Sequence, residues 1–214
     1  TAKKFVKSTV SYAETGMFGK IAIDYISENE QLKPFYHRFP RRESFEQQIL
    51  EKSKSFTHRE VLVKVLERQY AAAKIKNNSI DLLKSDNSFT ITTGHQVCLF
   101  TGPLYFIYKI VSAINTCRQL KEEYPKYAFI PVFWMATEDH DFEEANHFYL
   151  PSGKIEWESG QGGAVGRMQT VAMDEVLESL KSKIGIGYTS GEIIKLFEKS
   201  YVKNKNIADA TRKL

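Results

Sequence analysis

Two short apolar segments, each followed directly by a polar cluster, dominate the pattern of hydrophobic and polar positions. The first covers residues 89–92 and is rich in β-branched and aromatic side chains, and the second, 129–135, is apolar at almost every position. Strands that are apolar on both faces are typical of parallel sheets covered by helices. From Leu104 onward, apolar residues recur every three or four positions, which predicts a helix. The order strand, helix, strand predicts a parallel βαβ unit.

The predicted helix has two different faces. One mostly apolar stripe is expected to pack on the sheet, and it consists of Leu104, Ile107, Tyr108, Val111, Ile114 and Arg118. Another face holds Tyr105 and Lys109, whose spacing can place a phenol and an ammonium beside the preceding loop. The alternative is that both are ordinary surface residues. Thr101 or Gly102 is expected to cap this helix, with Pro103 in its first turn.

The remaining segments predict helices and one hairpin around this α/β core. Residues 1–87 form a mostly helical N-terminal wrapping segment, in which Thr57 is expected to cap one helix. Residues 88–146 hold the first half of the core. Residues 147–205 form a connecting insertion of a β-hairpin with a turn at Ser152-Gly153, followed by helices over 173–184 and 190–201. Residues 206–214 begin a return to the core, with Asn206 as a helix cap.

Both polar clusters are expected at the same edge of the sheet, because parallel strands end there together. The first contains His95 and Gln96, suited to hydrogen bonding of an anionic group near a helix N-terminus, although a simple turn histidine is the alternative. The second runs from Glu138 to Asp141, where Asp141 and Glu144 also have capping-box spacing. This second cluster therefore either contacts substrate or forms a capped, solvated helix start.

Three further features have competing interpretations. Cys98 is expected to be an inert packed thiol rather than a reactive thiolate at a helix N-terminus. Trp134 is expected either to floor a pocket or to fill the core. The glycine-rich segment 160–166 lacks the spacing of the common phosphate-binding loops and is expected to be an ordinary loop. No metal site is expected, because the spacing around His140 matches no closed zinc set.

Composition limits the classes of partner. The chain has 214 residues and a formal net charge of +4, too weak to predict nucleic-acid binding but compatible with an anionic small molecule. Two cysteines define no disulfide framework, so a reducing cytoplasm is expected. No apolar run is long enough to span a bilayer, so no membrane association is expected. The chain starts without Met and is expected to be a fragment.

Several separated motifs resemble the cysteine ligases of bacillithiol biosynthesis, the cysteine-adding enzymes. They are TGHQVCLFTGPLYFIYK, PVFWMATEDHDFEEANH, LKPFYHRFP and NIADATRKL. The resemblance implies a nucleotidyl-transferase-like Rossmann core and the addition of cysteine to the amine of glucosaminyl-malate. It also implies that the remaining core and a coiled-coil dimerisation element follow residue 214, so a homodimer is expected only for the full-length protein.

The segment from His95 to Gly102-Pro103 also resembles the histidine-bearing signature of class I aminoacyl-tRNA synthetases, although the second histidine of that signature is missing. ATP is the co-substrate that this likeness implies, for activation of the cysteine carboxylate as an adenylate. The residues expected to act in catalysis are His95, Lys109, Asp139, His140 and Asp141. The residues expected to bind substrate are Gly94, Gln96, Gly102, Pro103, Tyr105, Trp134, Glu138 and Asn146. The alternatives are a non-catalytic nucleotide- or sugar-binding fragment and a metal-dependent hydrolase centred on His140.

Overall fold

The computed structural model of the chain describes residues 7–55, 58–185 and 187–214. It falls into two compact units, Thr1–Phe56 and Thr57–Leu214. The helices are α1 Lys20–Ile26, α2 Phe45–Lys52, α3 Arg59–Ala72, α4 Ser79–Leu82, α5 Tyr105–Glu123, α6 Phe142–Ala145, α7 Met173–Lys183, α8 Tyr188–Phe197 and α9 Ile207–Lys213. The strands are β1 Ser88–Gln96, β2 Ala128–Ala136, β3 His147–Leu150 and β4 Gly153–Glu156.

Within the first unit, an aromatic cluster and one partly buried arginine organise residues 7–55. Tyr25 of α1 contacts Tyr36 and Phe39 of the connector between Pro34 and Pro40, with ring centroids 5.3 and 5.2 Å apart. Arg38 donates hydrogen bonds to Gln48 and Glu51 of α2 at 2.9 and 2.6 Å. These contacts fix the connector between the two helices α1 and α2.

Helices α3 and α4 belong to the same compact unit as the sheet, whereas the sequence groups them with the N-terminal segment. The reason is a buried cluster that joins them to β2, made of Val63, Ile80, Leu83 and Ile130. Arg59 adds a polar link, since it donates hydrogen bonds to the Leu83 carbonyl and to the hydroxyl and carbonyl of Ser88. Thr57, the predicted cap of α3, lies outside the described residues.

Strands β1 and β2 pair in parallel, as predicted. The register runs from Ser88 opposite Ala128 to Gln96 opposite Ala136, so both strands end at the same edge. Helix α5 connects them and packs on both. The predicted βαβ unit is confirmed, and it places the two polar clusters beside each other.

The predicted core stripe of α5 is wrong. The buried residues of this helix are Phe106, Ala113, Cys117 and Leu120. Leu104 and Tyr108, from the predicted stripe, are 66% and 64% exposed. The first turns of α5 are apolar almost all round, so periodicity does not select one face there. The helix instead packs through Phe106 and Leu120 near its two ends and through the smaller Ala113 and Cys117 between them. It also begins at Tyr105 after Leu104, without a side-chain cap from Thr101 or Gly102.

The largest buried cluster surrounds the segment that follows β1. Its members include Val97, Cys98, Leu99, Phe100, Ile155, Trp157, Met173, Leu177, Leu180, Tyr201 and Ile207. The hairpin β3–β4, the range of α7 and the Asn206 cap of α9 are confirmed, although the hairpin turn lies at Pro151-Ser152. The connecting insertion therefore shares its core with residues 97–100, which directly follow the first polar cluster.

Candidate functional site

The site consists of two loops that leave the same edge of the β1–β2 sheet. The first loop, residues 97–104, follows β1, and the second loop, 137–141, follows β2. The last paired residues of the two strands are Gln96 and Ala136. The negative charges of Glu144 and Asp139 both raise the pKa of the Cys98 thiol. Carboxylates that follow β2 therefore lie close enough to the first loop to act on it electrostatically. The predicted juxtaposition of the two polar clusters is therefore present in the fold.

The first loop has an unusual backbone. Phe100, Thr101 and Gly102 all have positive φ, at 47°, 78° and 63°. For the two non-glycine residues this costs on the order of 1–3 kcal/mol each, so packing around the loop must hold the conformation. A Cβ at position 102 would lie 2.6 Å from the Cβ of Cys98, which explains why glycine occurs there. Strain of this kind is concentrated at functional sites.

His95 lies between the two ends of the first loop. Its ring centroid is 5.1 Å from that of Tyr105 and 5.8 Å from that of Phe106, and its Nε2 is 3.9 Å from Cys98 Sγ. Burial, helped by the charge of Lys109, lowers the pKa of His95 below its ordinary value, and Glu144 opposes this change. The imidazole is therefore neutral at pH 7, with one nitrogen able to donate and the other able to accept a proton.

Lys109 is fixed beside the same residues. Its Nζ donates a 2.8 Å hydrogen bond to the Gly94 carbonyl and lies 5.5 Å from the centre of the Tyr105 ring. Lys109 and Tyr105 line a groove of about 390 Å³ between β1 and α5, together with Thr92 and Thr93. The predicted pair of a phenol and an ammonium is thus located next to the first loop.

Gln96 is left with an unused donor. Its Nε2 is buried and has no hydrogen-bond partner among the described residues. An unsatisfied buried donor costs about 1–3 kcal/mol, which a bound acceptor would recover. Gln96 ends β1 at the edge where both loops begin, so this amide is suited to bind a ligand oxygen there.

Internal hydrogen bonds shape the second loop. Asp139 accepts a 2.8 Å hydrogen bond from the amide of Asp141, and Asp141 accepts a 3.0 Å bond from the amide of Glu144. The predicted cap by Asp141 is confirmed, which gives this carboxylate a structural use. Glu138 and His140 are exposed. Of the predicted second-loop residues, Asp139 is the partly buried acid whose charge reaches the first loop.

A glycine of the connecting insertion holds the second loop from the other side. The amide of Gly166 donates to the Thr137 carbonyl at 3.1 Å, and the amide of Val165 donates to the Asp139 carbonyl at 2.7 Å. A Cβ at position 166 would lie 2.5 Å from the Cβ of Thr137. The segment 160–166 was expected to be an ordinary loop, but its last two residues are buried against the site.

Two residues predicted to bind substrate have other surroundings. Trp134 is 61% exposed on β2, so it neither fills the core nor floors an enclosed pocket. Asn146 is buried, with its Oδ1 3.0 Å from His147 Nδ1 and its Nδ2 3.5 Å from Glu156 Oε1. Its amide therefore joins the ends of the β3–β4 hairpin. Local sequence could not indicate this, because Glu156 comes from the returning strand.

The prediction for Cys98 is confirmed. The residue is 3% exposed, and burial raises the pKa of its thiol to about 11, with Glu144 and Asp139 adding to the shift. A thiol with this pKa is protonated and unreactive at neutral pH. The sequence missed Glu144, which it assigned only to the capping box. The sequence signal that could have identified Glu144 is its position on the short helix that Asp141 caps directly after the second polar cluster.

Neither a metal cluster nor a membrane span occurs in the part of the chain that the structure describes. Within ranges 7–55, 58–185 and 187–214, no group of three or more His, Cys, Asp or Glu side chains could hold a metal ion. No helix of the described residues is long and apolar enough to cross a membrane.

Comparisons with known proteins agree on one family. The family model for the N-terminal Rossmann-like domain of bacillithiol biosynthesis BshC matches residues 6–214. A protein of Flavobacterium psychrophilum is 46% identical over 209 residues, which are 95% of this chain and 39% of that protein. One from Flavobacterium johnsoniae is 46% identical over 208 residues, with the same coverage, and one from Bacillus licheniformis is 37% identical over 133 residues, 61% of this chain and 24% of that protein. All three are named "Putative cysteine ligase BshC". The chain spans about two fifths of the length of the first two relatives.

Proposed function

Since this chain belongs to the bacillithiol biosynthesis BshC family, as its N-terminal Rossmann-like domain, we propose that it forms part of a ligase that joins cysteine to the amine of glucosaminyl-malate. The observation that carries the proposal is the parallel register of β1 and β2, because it brings the loops of His95 and Asp139 to one edge. The substrates are small molecules, and ligands of open α/β sheets bind outside the carboxyl ends of the strands.

Amide formation needs a cysteine carboxylate that has been made more electrophilic. ATP is the proposed co-substrate, and it would transfer its adenylyl group to this carboxylate and release pyrophosphate, so that AMP is the leaving group in amide formation. Lys109 and the free Nε2 of Gln96 would hold phosphate or carboxylate oxygens, since one offers a positive charge and the other an unused donor. The hydrogen bond from Lys109 to the strand end fixes the ammonium without neutralising its charge.

The acceptor amine must lose a proton as it reacts. Its nitrogen attacks the carbonyl carbon, the new C–N bond forms, and the bond from that carbon to its leaving group breaks. His95 is the proposed base, because its lowered pKa keeps the imidazole neutral and able to accept the proton. This favours a base role for His95 over His140, which is exposed.

The second loop would bind the ammonium form of a substrate before reaction. Asp139 is partly buried and its charge reaches the first loop, and Glu144 acts on His95 and Cys98. A carboxylate near an ammonium stabilises the charged form, and near His95 it would also stabilise the imidazolium formed by proton transfer.

The test is mass-spectrometric detection of bacillithiol from the full-length protein with cysteine and glucosaminyl-malate, with and without ATP. His95→Ala is expected to lower turnover by about 10²–10⁴-fold, the usual contribution of a general base. Asp139→Ala is expected to raise KM for one substrate as well. The matched controls are His58→Ala and Asp174→Ala, which change exposed residues of the same types. Wild-type turnover in both site variants would remove these roles.

A non-catalytic binding role for this part of the protein is the second candidate. It is favoured by the open groove of about 390 Å³ between β1 and α5. Calorimetry with ATP, cysteine and glucosaminyl-malate distinguishes the two: binding by full-length protein that makes no bacillithiol would support this candidate. We further propose a cytoplasmic location, since both cysteines are free thiols, and a homodimer for the full-length protein only.

A further inference from the structure

Tyr201 lies under the first loop, although it is 103 residues away from Cys98 in sequence. It belongs to a π-helical turn, Glu198–Val202, at the end of α8. Its side chain is 0% exposed, and its hydroxyl donates a long 3.4 Å hydrogen bond to the Cys98 carbonyl. π-helical turns are rare and are often found at functional sites.

Tyr201 and its neighbour Phe197 pack against Phe100, one of the strained residues of the first loop. The ring of Tyr201 contacts the Phe100 ring edge-on, with centroids 4.8 Å apart. The ring of Phe197 stacks on the same Phe100 ring, with centroids 4.4 Å apart and an interplanar angle of 6°. Burial raises the pKa of Tyr201 to about 12, while contacts with the Thr211 side chain and with the backbone of Thr101 and Phe100 act in the opposite direction. The phenol therefore contacts the residues whose φ values are positive.

The backbone of His95 is held by its pairing with Met135 in the sheet, and the first loop contributes to the contacts of its ring. The imidazole contacts Cys98 at the start of the loop and Tyr105 just after it. Thr101 is β-branched, and a β-branched residue with positive φ relaxes toward negative φ when nothing opposes it. A relaxation of the loop would move Cys98 and the start of α5, and would change the contacts of the imidazole with Cys98, Tyr105 and Phe106.

We propose that Tyr201 is a positioning residue of this site, whose hydroxyl holds the first loop in the conformation that keeps His95 beside Tyr105 and Lys109. The connecting insertion, which contains Tyr201, then stabilises the geometry of the site through its contacts with Cys98 and Phe100. The test of this role by enzyme activity rests on the proposed function, whereas the test by the titration of His95 does not.

The test is Tyr201→Phe in the full-length protein, which keeps the ring and removes the hydroxyl. The first readout is the NMR titration of His95, whose ring is surrounded by Lys109 on α5, Glu144 on α6 and the Cys98 thiol. Its pKa is expected to rise toward the ordinary value, because a relaxed loop exposes the ring and moves it away from the lysine. The second readout is kcat, expected to fall about tenfold with little change in KM, which corresponds to about 1.4 kcal/mol of barrier.

A rescue variant separates positioning from general stability. Thr101→Asn relieves the strain, since Asn accepts positive φ, so Tyr201→Phe with Thr101→Asn is expected to regain most of the kcat and the original titration. Tyr188→Phe is the control, because this tyrosine is 83% exposed on α8. If Tyr201→Phe does not fold, Phe197→Leu tests the same support from the other side of Phe100 and is expected to shift the His95 titration in the same direction.

The outcomes for the two proposals are distinct. If the wild type makes no bacillithiol but Tyr201→Phe shifts the His95 titration, the proposed function fails and the positioning role stands. If the wild type is active and the variant keeps both the titration and kcat, the positioning role is refuted. A fall in kcat with an unchanged titration and no rescue by Thr101→Asn also refutes it.

Discussion

Gly166→Ala should disturb the second loop of the site, because Gly166 lies against Thr137 without belonging to either strand. The alanine Cβ would meet the Thr137 Cβ at 2.5 Å and the Thr137 carbonyl oxygen at 2.7 Å, whereas ordinary contact begins at 3.4 Å. The glycine has no positive φ, so the expected effect is purely steric. The backbone at one of the two positions must therefore move by nearly 1 Å, the difference between these distances.

Two contributions determine how much Gly166→Ala lowers the free energy of unfolding. Overpacking of this kind costs about 1–3 kcal/mol, and loss of the hydrogen bond from Gly166 to the Thr137 carbonyl adds about 1 kcal/mol. For a chain of this length, the total of about 2–4 kcal/mol lowers Tm by about 4–16 °C. The displaced Thr137 also shifts Asp139, so we expect lower turnover in the full-length protein.

Thermal denaturation of the purified chain, followed by circular dichroism, measures the stability change. Gly162→Ala is the matched control, because it changes a glycine of the same segment that has open space where its Cβ would lie. We expect the control to melt within about 2 °C of the wild type, as surface changes usually do. If Gly166→Ala melts together with this control, the close approach of the insertion to the second loop is wrong.

Four further predictions concern charge, pH dependence, reactivity and stability. Lys109→Met should raise the pKa of His95, because a neighbouring positive charge is removed, and Glu144→Gln should lower it; an NMR titration that shows the reverse order would contradict the assigned electrostatics. In the pH window just below the ordinary pKa of histidine, the wild type should lose stability as pH falls, since its folded state binds the proton less readily than the unfolded chain. Cys98 should resist iodoacetamide in the native protein at pH 8 and react after unfolding, because its pKa is about 11, and rapid native labelling seen by mass spectrometry would exclude the buried thiol. Arg59→Met should lower the free energy of unfolding by about 2–4 kcal/mol, since three hydrogen bonds to buried acceptors are lost, and an unchanged urea midpoint would show that these bonds contribute nothing.

The order of elements and the meeting of the two polar clusters could be predicted from local sequence. Apolar runs at 89–92 and 129–135 define two strands, and a helix between them leaves the strands parallel, so their ends must share one edge. Caps follow the same local logic: Asp141 and Asn206 each accept a hydrogen bond from an amide three residues later. The short range of these interactions makes them visible in a single sequence.

Only the tertiary structure decided which face of α5 is buried and what supports the loops. The start of that helix is apolar nearly all round, so the choice depends on close packing with the strands. Gly166 and Tyr201 contact the loops from the connecting insertion, and Asn146 pairs with Glu156 across a hairpin. These contacts join residues far apart in sequence, and their energies depend on shape and distance in the folded chain, which local periodicity does not record.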